Sequence, residues 1–330
     1  MSMLIIDTSY LIYKAYFAYP NLTYQEQPTG AIYGFIKTIL KLVTTWQPKI
    51  LVFACDQPEK TWRHELFSEY KAGRPEIEDN MLKQIPIILE WCQMVTPNYL
   101  AIPGFEADDL IWTVIKKFHQ PAPTTEANSL FFDNQPTSLI FSADRDLYQL
   151  LILPEVKFIH SQPKQTGYYL FSKADFYQKY QIQPQQWIDY KALVGDHSDN
   201  LSGIPGIGPK TATKILQQIE HLQYLFDFLQ IPHQLHNLHA NPSPESLAKV
   251  EKFTHNPRNR PLIDKIISHQ KILEQTYLLA SLREVPEIKI NLTPFNLELG
   301  KTIVEKYHFQ SLLNTHHIHR TPTSIQNSLF

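Results

Sequence analysis

The first half of the chain alternates short apolar runs with longer stretches of helical periodicity. Four runs have the length and the β-branched or aromatic content of buried strands. These runs are residues 4–6, 50–55, 99–102 and 138–143. Helical spacing covers residues 30–46, 81–95 and 106–119. Because strands and helices alternate, we expect an α/β fold in which helices flank a parallel sheet.

The second half has a different pattern. After about residue 170 we expect only helices, in residues 171–180, 184–195, 210–219 and, less regularly, 265–282. Residues 120–137 and 232–245 are rich in Pro, Thr, Asn or His and are interpreted as surface loops. The C-terminus carries His316, His317 and His319, which are typical of either a metal site or a solvated, frayed tail.

Composition limits the classes of function. The 330 residues include 30 Lys+Arg and 32 Asp+Glu, for a formal charge of −2, which excludes a polycationic tail protein. Any binding of polyanions must therefore depend on local patches. Only Cys55 and Cys92 occur, so a disulfide scaffold is excluded. Asp7 and Lys14 interrupt the apolar N-terminus, and no apolar run reaches the roughly 18–20 residues of a membrane span, so we expect a soluble cytoplasmic protein.

Acidic residues follow each of the four predicted strands. They are Asp7, Asp56, the group Glu106, Asp108 and Asp109, and the pair Asp144 and Asp146. A later GDHSDN loop adds Asp196 and Asp199. Each residue alone would be an ordinary N-cap or turn residue. However, the carboxyl ends of parallel strands meet at one edge of a sheet, where ligands bind. The pattern therefore predicts one acidic cluster.

Such a cluster needs cations or protons. Two like charges ~4 Å apart repel by about 4 kcal/mol at an effective dielectric of ~20. The candidate ligands are all carboxylates, without His or Cys, which favours two Mg²⁺ or Mn²⁺ ions over Zn²⁺. A pair of divalent ions held by carboxylates is typical of phosphodiester hydrolysis. The cluster therefore indicates a phosphodiesterase or nuclease.

A glycine-rich segment, GIPGIGPKTATKIL at residues 203–216, precedes a predicted helix. Gly203, Gly206 and Gly208 allow a tight turn and close approach to a phosphate, and Lys210 adds charge near the helix N-terminus. This pattern is typical of a helix–hairpin–helix, which binds a nucleic-acid backbone without reading its sequence. The spacing excludes a P-loop and a dinucleotide-binding fingerprint. A plain Pro/Gly connection between helices is the alternative.

A second candidate for nucleic-acid binding lies after the second strand. Arg63, Phe67, Tyr70, Lys71 and Arg74 fall near one stripe of a predicted helix that stops at Pro75. Aromatic residues among cations suit a single-stranded backbone. A solvated helix face with salt bridges would show a similar pattern.

Five motifs together resemble the 5′-nuclease superfamily. They are IIDTSYLIYKAYFA, FACDQPEKTWRHELFSEYKAGRP, IPGFEADDL, IFSADRDLYQLL and YKALVGDHSDNLSGIPGIGPKTATKIL. The chain looks most like the 5′–3′ exonuclease domain of bacterial DNA polymerase I and the related flap endonucleases, from about Met3 to about Ile290. The resemblance implies a PIN-like catalytic domain at 1–170 with a helical arch at about 58–95. A helical DNA-binding region at 171–290 and a C-terminal extension at 291–330 would follow.

The resemblance also implies roles for individual residues. Asp7, Asp56, Glu106 and Asp108 would surround one Mg²⁺, and Asp144, Asp146, Asp196 and Asp199 the other, with Asp109 between or behind them. Lys71 and Arg74 would bind the scissile phosphate and Tyr70 would support it, with Tyr70 and Arg63 as DNA-binding residues of the arch. Gly203, Gly206, Gly208 and Lys210 would hold duplex DNA, with a K⁺ ion on the loop carbonyls.

The expected function is therefore a stand-alone, monomeric 5′ nuclease. Its substrate would be DNA with a 5′ flap, nick or 5′ end, and the products would carry 5′-phosphate and 3′-hydroxyl groups. A primer remover that acts on RNA–DNA hybrids fits the same motifs. A non-catalytic module that binds DNA junctions would use the hairpin alone, which the complete acid set disfavours. A phosphatase with Asp7 as nucleophile would lack the second aspartate two residues later.

Overall fold

The computed structural model describes residues 1–119, 137–162, 167–235 and 241–313. The described strands are β1 Ser2–Asp7, β2 Thr23–Tyr24, β3 Gln27–Pro28, β4 Ile50–Ala54, β5 Tyr99–Leu100, β6 Thr137–Phe141, β7 Val156–Ser161, β8 Tyr168–Phe171, β9 Gly195–Asp196 and β10 Leu201–Ser202. The described α-helices are α1 Thr8–Ala18, α2 Gly30–Trp46, α3 Trp62–Leu66, α4 Asp79–Leu82, α5 Ile85–Val95, α6 Ala107–Phe118, α7 Lys173–Tyr180, α8 Trp187–Val194, α9 Pro209–Ile219, α10 Leu222–Phe228, α11 Pro244–His255, α12 Arg260–Ser268, α13 Gln270–Ala280, α14 Lys301–Lys306 and α15 Gln310–Leu313.

The central sheet has six strands in the order β5-β4-β1-β6-β7-β8. All neighbouring strands pair in parallel except β7 and β8, which are antiparallel. The parallel α/β fold is thus confirmed, with one antiparallel edge strand added. Strands β7 and β8 were not predicted from the sequence. Strands were expected to stop at about residue 170, which is true of this sheet, but the short strands β9 and β10 follow later in the chain. Strands near an edge are half exposed, so Lys157 and His160 interrupt the apolar pattern of β7.

The sheet is covered on both faces, as the continuous apolar strands predicted. Alternate residues of β1 point to opposite faces. Met3 and Ile5 belong to a core on one face, and Leu4 and Ile6 to a core on the other. The second core contains α1, α2 and α5. The first extends from α6 into the helices of the C-terminal half, so the described parts of the two halves share a continuous core.

The C-terminal residues return to the sheet. We define residues 296–313 as the C-terminal strap. Its backbone begins with a hydrogen bond from the Asn296 N–H to the Val95 carbonyl, at 2.8 Å. Gly300 lies so close to Trp91 that a Cβ there would be 2.2 Å from the indole nitrogen. Phe309 and Leu312 are buried in the second core. The strap therefore covers α5.

The predicted basic stripe is not helical, which corrects the sequence analysis. Helix α3 ends at Leu66, and turns follow. Lys71 has a φ of 57°, outside the helical range. The predicted helix over 81–95 is divided into α4 and α5, with a proline in the first turn of α5. Because Ile88 and Trp91 of α5 are buried against the sheet, α5 belongs to the core and not to an exposed arch.

Several predictions lie outside the described residues. These are most of the loop over 120–137, part of the loop over 232–245, and the tail with His316, His317 and His319. Within the described part, every helix is too short or too polar to cross a lipid bilayer.

Candidate metal centre and nucleic-acid interface

Four predicted metal ligands line one cavity at the carboxyl edge of the sheet. Asp7 ends β1, Asp56 follows β4 and Asp144 follows β6, and these three strands are neighbours. Asp108 enters from the first turn of α6. The cavity has a volume of about 360 Å³. The cavity opens at the end of β1, between its neighbours β4 on one side and β6 on the other. The strand order reverses direction at this point, which is where open α/β sheets bind ligands.

Hydrogen bonds fix the orientation of these carboxylates. Asp7 caps α1 by accepting from the Tyr10 N–H at 3.0 Å, and its other oxygen accepts from the Ser142 hydroxyl at 2.6 Å. Asp56 accepts from the N–H of Ala107 at 2.8 Å, which ties β4 to the start of α6. Asp7 is therefore an N-cap residue, the ordinary role considered for each acid alone. Its carboxylate nevertheless lines the cavity.

The cavity lacks enough positive charge for its acids. Burial, together with the charge of Asp56, raises the pKa of Asp7 to about 7. Burial also raises the pKa of Asp108 well above its usual value, and the charges of Asp144 and Asp7 add to this effect. Carboxylates that hold protons near neutral pH would release them to a divalent cation. The all-oxygen donor set of these residues therefore fits Mg²⁺ or Mn²⁺.

A second group of acids is already paired with an internal cation. Asp109 has no exposed surface and accepts hydrogen bonds from Arg63 at 2.8 and 3.0 Å and from the Trp62 indole at 3.0 Å. Glu106 accepts from Arg63 at 3.2 Å. The remaining guanidinium donors bind the carbonyls of Leu279 and Ser281.

These contacts correct the DNA-binding role predicted for Arg63, and they put Asp109 behind the cavity, which is one of the two positions expected for it. Arg63 is 2 % exposed and all of its donors are used, so it has none for DNA. Asp109 is enclosed by its partners and does not line the cavity. Both residues instead fix α3 to α6, beneath the acidic edge. A charged stripe was predicted because Arg63 lies near Lys71 and Arg74 in the chain, whereas tertiary packing places Arg63 in the interior.

A third group of acids lies around Lys191. No role for this lysine was predicted from the sequence. The Lys191 ammonium contacts Asp146 and lies 2.6 Å from a carboxylate oxygen of Asp196. Burial opposes ionisation of Asp196, but the charge and hydrogen bond of Lys191, with hydrogen bonds from Ser198, lower its pKa to about 2. A lysine one helical turn before GDHSDN was the available signal.

In the described residues, no three His, Cys or acidic side chains converge closely enough to ligate a single ion in this arrangement.

Two of the predicted arch residues reach the acids. The Lys71 ammonium lies 2.9 Å from Glu106, and a guanidinium nitrogen of Arg74 lies 2.9 Å from Asp199. Both cations line the cavity. Tyr70 is 3 % exposed and its hydroxyl donates to Glu106 at 3.2 Å. A direct contact between Tyr70 and DNA is thus excluded in this arrangement, and its ring instead packs beside Lys71.

The glycine-rich hairpin joins α8 to α9, and its glycines have different roles. A Cβ on Gly203 would lie 2.2 Å from the backbone of Val194, so this glycine allows close packing inside the hairpin. Gly206 has a φ of +77°, which favours glycine. Gly208 has open space around it and precedes α9, and Lys210 is exposed in the first turn. Gly206, Gly208 and Lys210 can therefore face a phosphate, whereas Gly203 supports them from behind.

Sequence profiles of known families match both halves of the chain. The N-terminal resolvase-like domain of 5′–3′ exonucleases matches residues 2–181, and their C-terminal SAM fold matches residues 182–301. The chain belongs to the 5′–3′ exonuclease family. A family member from Aquifex aeolicus, named 5′-3′ exonuclease, is 36% identical over 218 residues, which are 66% of this chain and 69% of the relative. The 5′-3′ exonuclease of Mycoplasmopsis pulmonis is 35% identical over 227 residues, 69% of this chain and 70% of the relative.

Other members of this family are parts of larger proteins. The thermostable DNA polymerase I of Thermus thermophilus is 35% identical over 228 residues, 69% of this chain, and the match spans only 25% of the polymerase. Among solved structures, the bacteriophage T5 D15 flap endonuclease in complex with DNA and metal ions has a TM-score of 0.60 at 18% identity, covering 96% of this chain and 95% of the other. This likeness shows a common fold.

Proposed function

We propose that this 5′–3′ exonuclease family member hydrolyses phosphodiester bonds near the 5′ ends of DNA in a metal-dependent reaction. One observation carries the proposal: carboxylates from three neighbouring strand ends and one helix start line a single cavity, with Lys71 and Arg74 at its wall. Relatives named 5′-3′ exonuclease and DNA polymerase I support it. A 5′ flap, a nick or a free 5′ end is the proposed substrate, with an RNA–DNA hybrid as a further one.

The acids divide into two proposed ligand sets. Asp7, Asp56 and Asp108, with Glu106 behind them, would hold one Mg²⁺ or Mn²⁺. Asp144, Asp146, Asp196 and Asp199 would hold the second. When bound, such ions supply a nucleophilic hydroxide and stabilise the charge of the leaving oxygen. Similar structures solved with metal ions bound, which are divalent zinc ions in one of them, support metal dependence.

The chain's own cations have a different task. Lys71 and Arg74 lie at the cavity and would donate hydrogen bonds to the oxygens of the phosphate that is attacked. Their present carboxylate partners, Glu106 and Asp199, hold them in position until substrate arrives. Gly206, Gly208 and Lys210 would bind the duplex backbone by N–H groups and charge, with a K⁺ ion on the loop carbonyls. The protein would act as a monomer in the cytoplasm, bound to the nucleoid with its substrate.

Cleavage of 5′-labelled substrates tests the proposal. A flap, a nicked duplex and an RNA-primed duplex are incubated with the protein in Mg²⁺ and, separately, in chelator. We expect short labelled products in Mg²⁺ only. Asp108→Asn should abolish them while duplex binding persists, because Asp108 lies in the cavity and not in the hairpin. Asp227→Asn is the matched control, since this half-exposed aspartate of α10 contacts His233 and Gln223 and does not line the cavity. Cleavage by the Asp108 variant at the wild-type rate would overturn the proposal.

A further inference from the structure

We propose that Lys191 is an internal counter-ion of the second metal set, and that it makes this set bind a divalent cation more weakly than the first. The inference rests on the proposed function, because it concerns the same carboxylates. It assigns to Lys191 a positioning role: the ammonium holds Asp146 and Asp196 together in the metal-free protein and must be displaced when a metal ion binds them.

The contacts of Lys191 carry this inference. Its side chain is 5 % exposed, and its ammonium contacts two carboxylates from separate parts of the chain. Asp146 begins the 3-10 helix that follows β6, and Asp196 lies in the hairpin after α8. A buried ammonium without partners would be strongly destabilising, as would two buried carboxylates that face each other. The ion pairs of Lys191 with Asp146 and Asp196 neutralise the buried ammonium and also reduce the repulsion between the two carboxylates.

The same contacts oppose a divalent cation. The carboxylate oxygens that bind Lys191 are those that the second set would offer to a metal ion, and two cations cannot share them because they repel each other. Metal binding at this set must therefore move the lysine or compete with it. The charge of Lys191 remains nearby in either case, and it lowers the affinity for a second cation.

The first set is different. Neither Asp7 nor Asp108 forms an ion pair within the described ranges, and the hydrogen bonds that Asp7 accepts come from neutral groups. The Lys71 ammonium binds Glu106 behind this site, so it need not leave Asp7 or Asp108 before a metal ion binds them. The structure therefore predicts two unequal sites, a tight one at the end of β1 and a weak one around Asp146 and Asp196.

Calorimetric titration with Mn²⁺ alone tests this inference, using the full chain freed of metal by chelation and dialysis. Wild type should show one tight and one weak site. Lys191→Met should tighten the weak site at least tenfold and leave the tight site unchanged, whereas Lys191→Arg should keep the weak site weak. Lys249→Met is the matched control. The Lys249 ammonium also bridges two carboxylates, those of Glu220 and Glu245, but Lys249 belongs to α11 and does not contact the acidic cluster. Its titration should match that of wild type.

Thermal unfolding gives a second measurement that does not depend on activity. In chelator, Lys191→Met should melt at a lower temperature than wild type, because Asp146 and Asp196 then repel each other. Mn²⁺ should raise its melting temperature by more than it raises that of wild type. If Lys191→Met folds only in the presence of Mn²⁺, the metal ion has replaced the ammonium, which also supports the inference.

Three results would overturn it: a weak site that is unchanged in Lys191→Met, a weak site that is weaker still, or a variant that stays unfolded with and without Mn²⁺. Failure of the proposed function looks different. In that case wild type itself would bind no Mn²⁺ at the acidic cluster, and Asp108→Asn would not change the titration.

Discussion

At the residue scale, the nine predicted metal ligands are not equivalent, because each has a different partner. Among the described residues, Asp7 and Asp108 are buried without an ion-pair partner, whereas Asp109 is held by Arg63 and Asp146 by Lys191. Carboxylates of one residue type thus serve either as candidate ligands or as structural anions. The partner decides which role is available, since a carboxylate enclosed by a guanidinium has no free lone pair that faces the cavity.

Replacement of Arg63 tests its structural role. Arg63→Met should lower the free energy of unfolding by about 3–5 kcal/mol, because Asp109 would be left as an uncompensated buried charge. Urea unfolding measures this. Arg260→Met is the control: the side chains of Arg260 and its partner Asp264 are both largely exposed, so loss of their pair should cost at most about 1 kcal/mol. Equal effects of the two variants would contradict the assignment of Arg63 to the interior.

The raised pKa of Asp7 predicts a pH dependence of stability. Its folded-state pKa of about 7 lies above its ordinary value of 3.8, so between these values the folded state holds a proton that the unfolded state releases. In chelator, the free energy of unfolding contributed by Asp7 should therefore fall as the pH rises from about 4 to about 7, and then level off. Asp7→Asn should remove this slope. Urea titrations at a series of pH values measure the difference, and identical slopes would refute it.

At the element scale, the hairpin between α8 and α9 shows how one short segment combines packing with exposure. The sequence suggested three glycines with one common purpose. In the structure, Gly203 is pressed against the backbone of Val194, whereas Gly208 has no neighbour within 4 Å of a built Cβ. Only the second kind of glycine leaves room for a phosphate.

Alanine substitutions separate these two glycines. Gly203→Ala should lower the free energy of unfolding by about 1–3 kcal/mol, because backbone atoms at 2.2 and 2.3 Å cannot make room without distorting the hairpin. Duplex binding, measured by fluorescence anisotropy, should weaken as well. Gly208→Ala should leave stability within about 0.5 kcal/mol of wild type. Comparable destabilisation by both would mean that the hairpin is not packed as described.

At the scale of the whole molecule, the sheet and the C-terminal helices are built around one continuous core. Ile5 of β1 and Leu216 of α9 belong to the same buried cluster, although the family profiles divide the chain at residue 181. The acidic edge and the hairpin are thus held in a fixed relation by packing.

A shared core predicts cooperative unfolding. Leu216→Ala should cost about 2–5 kcal/mol, because Leu216 is fully buried. The loss should appear not only in α9 but also in the amide hydrogen exchange of β1, since both unfold together. Hydrogen exchange followed by mass spectrometry measures both segments in one experiment. If protection of β1 were unchanged, the two halves would be independent folding units.

Much of the fold could be predicted from local patterns. The runs at 4–6, 50–55 and 138–143 became β1, β4 and β6, and the periodicity of residues 30–46 gave α2 with the bounds Gly30–Trp46. Each of these elements is buried on one face or on both faces, and the spacing of its apolar residues reflects that burial. Strands β7 and β8 were missed because half-exposed edge strands tolerate polar residues. The segment after Leu66 was wrongly predicted as helix because spacing alone does not show a left-handed residue such as Lys71.

The sequence by itself determined which chemistry is present: acids after successive strands, cations between them, and a glycine-rich hairpin. Tertiary structure alone decided how these charges pair. Arg63 lies in the interior with Asp109, and Lys191 lies between Asp146 and Asp196. Asp7 and Asp108 line one cavity and have no ion-pair partner in the part of the chain that the structure describes. The reason is physical. Helical and strand periodicity is a local property of neighbouring residues, whereas an ion pair joins residues far apart in the chain and depends on burial, which exists only after the core has formed.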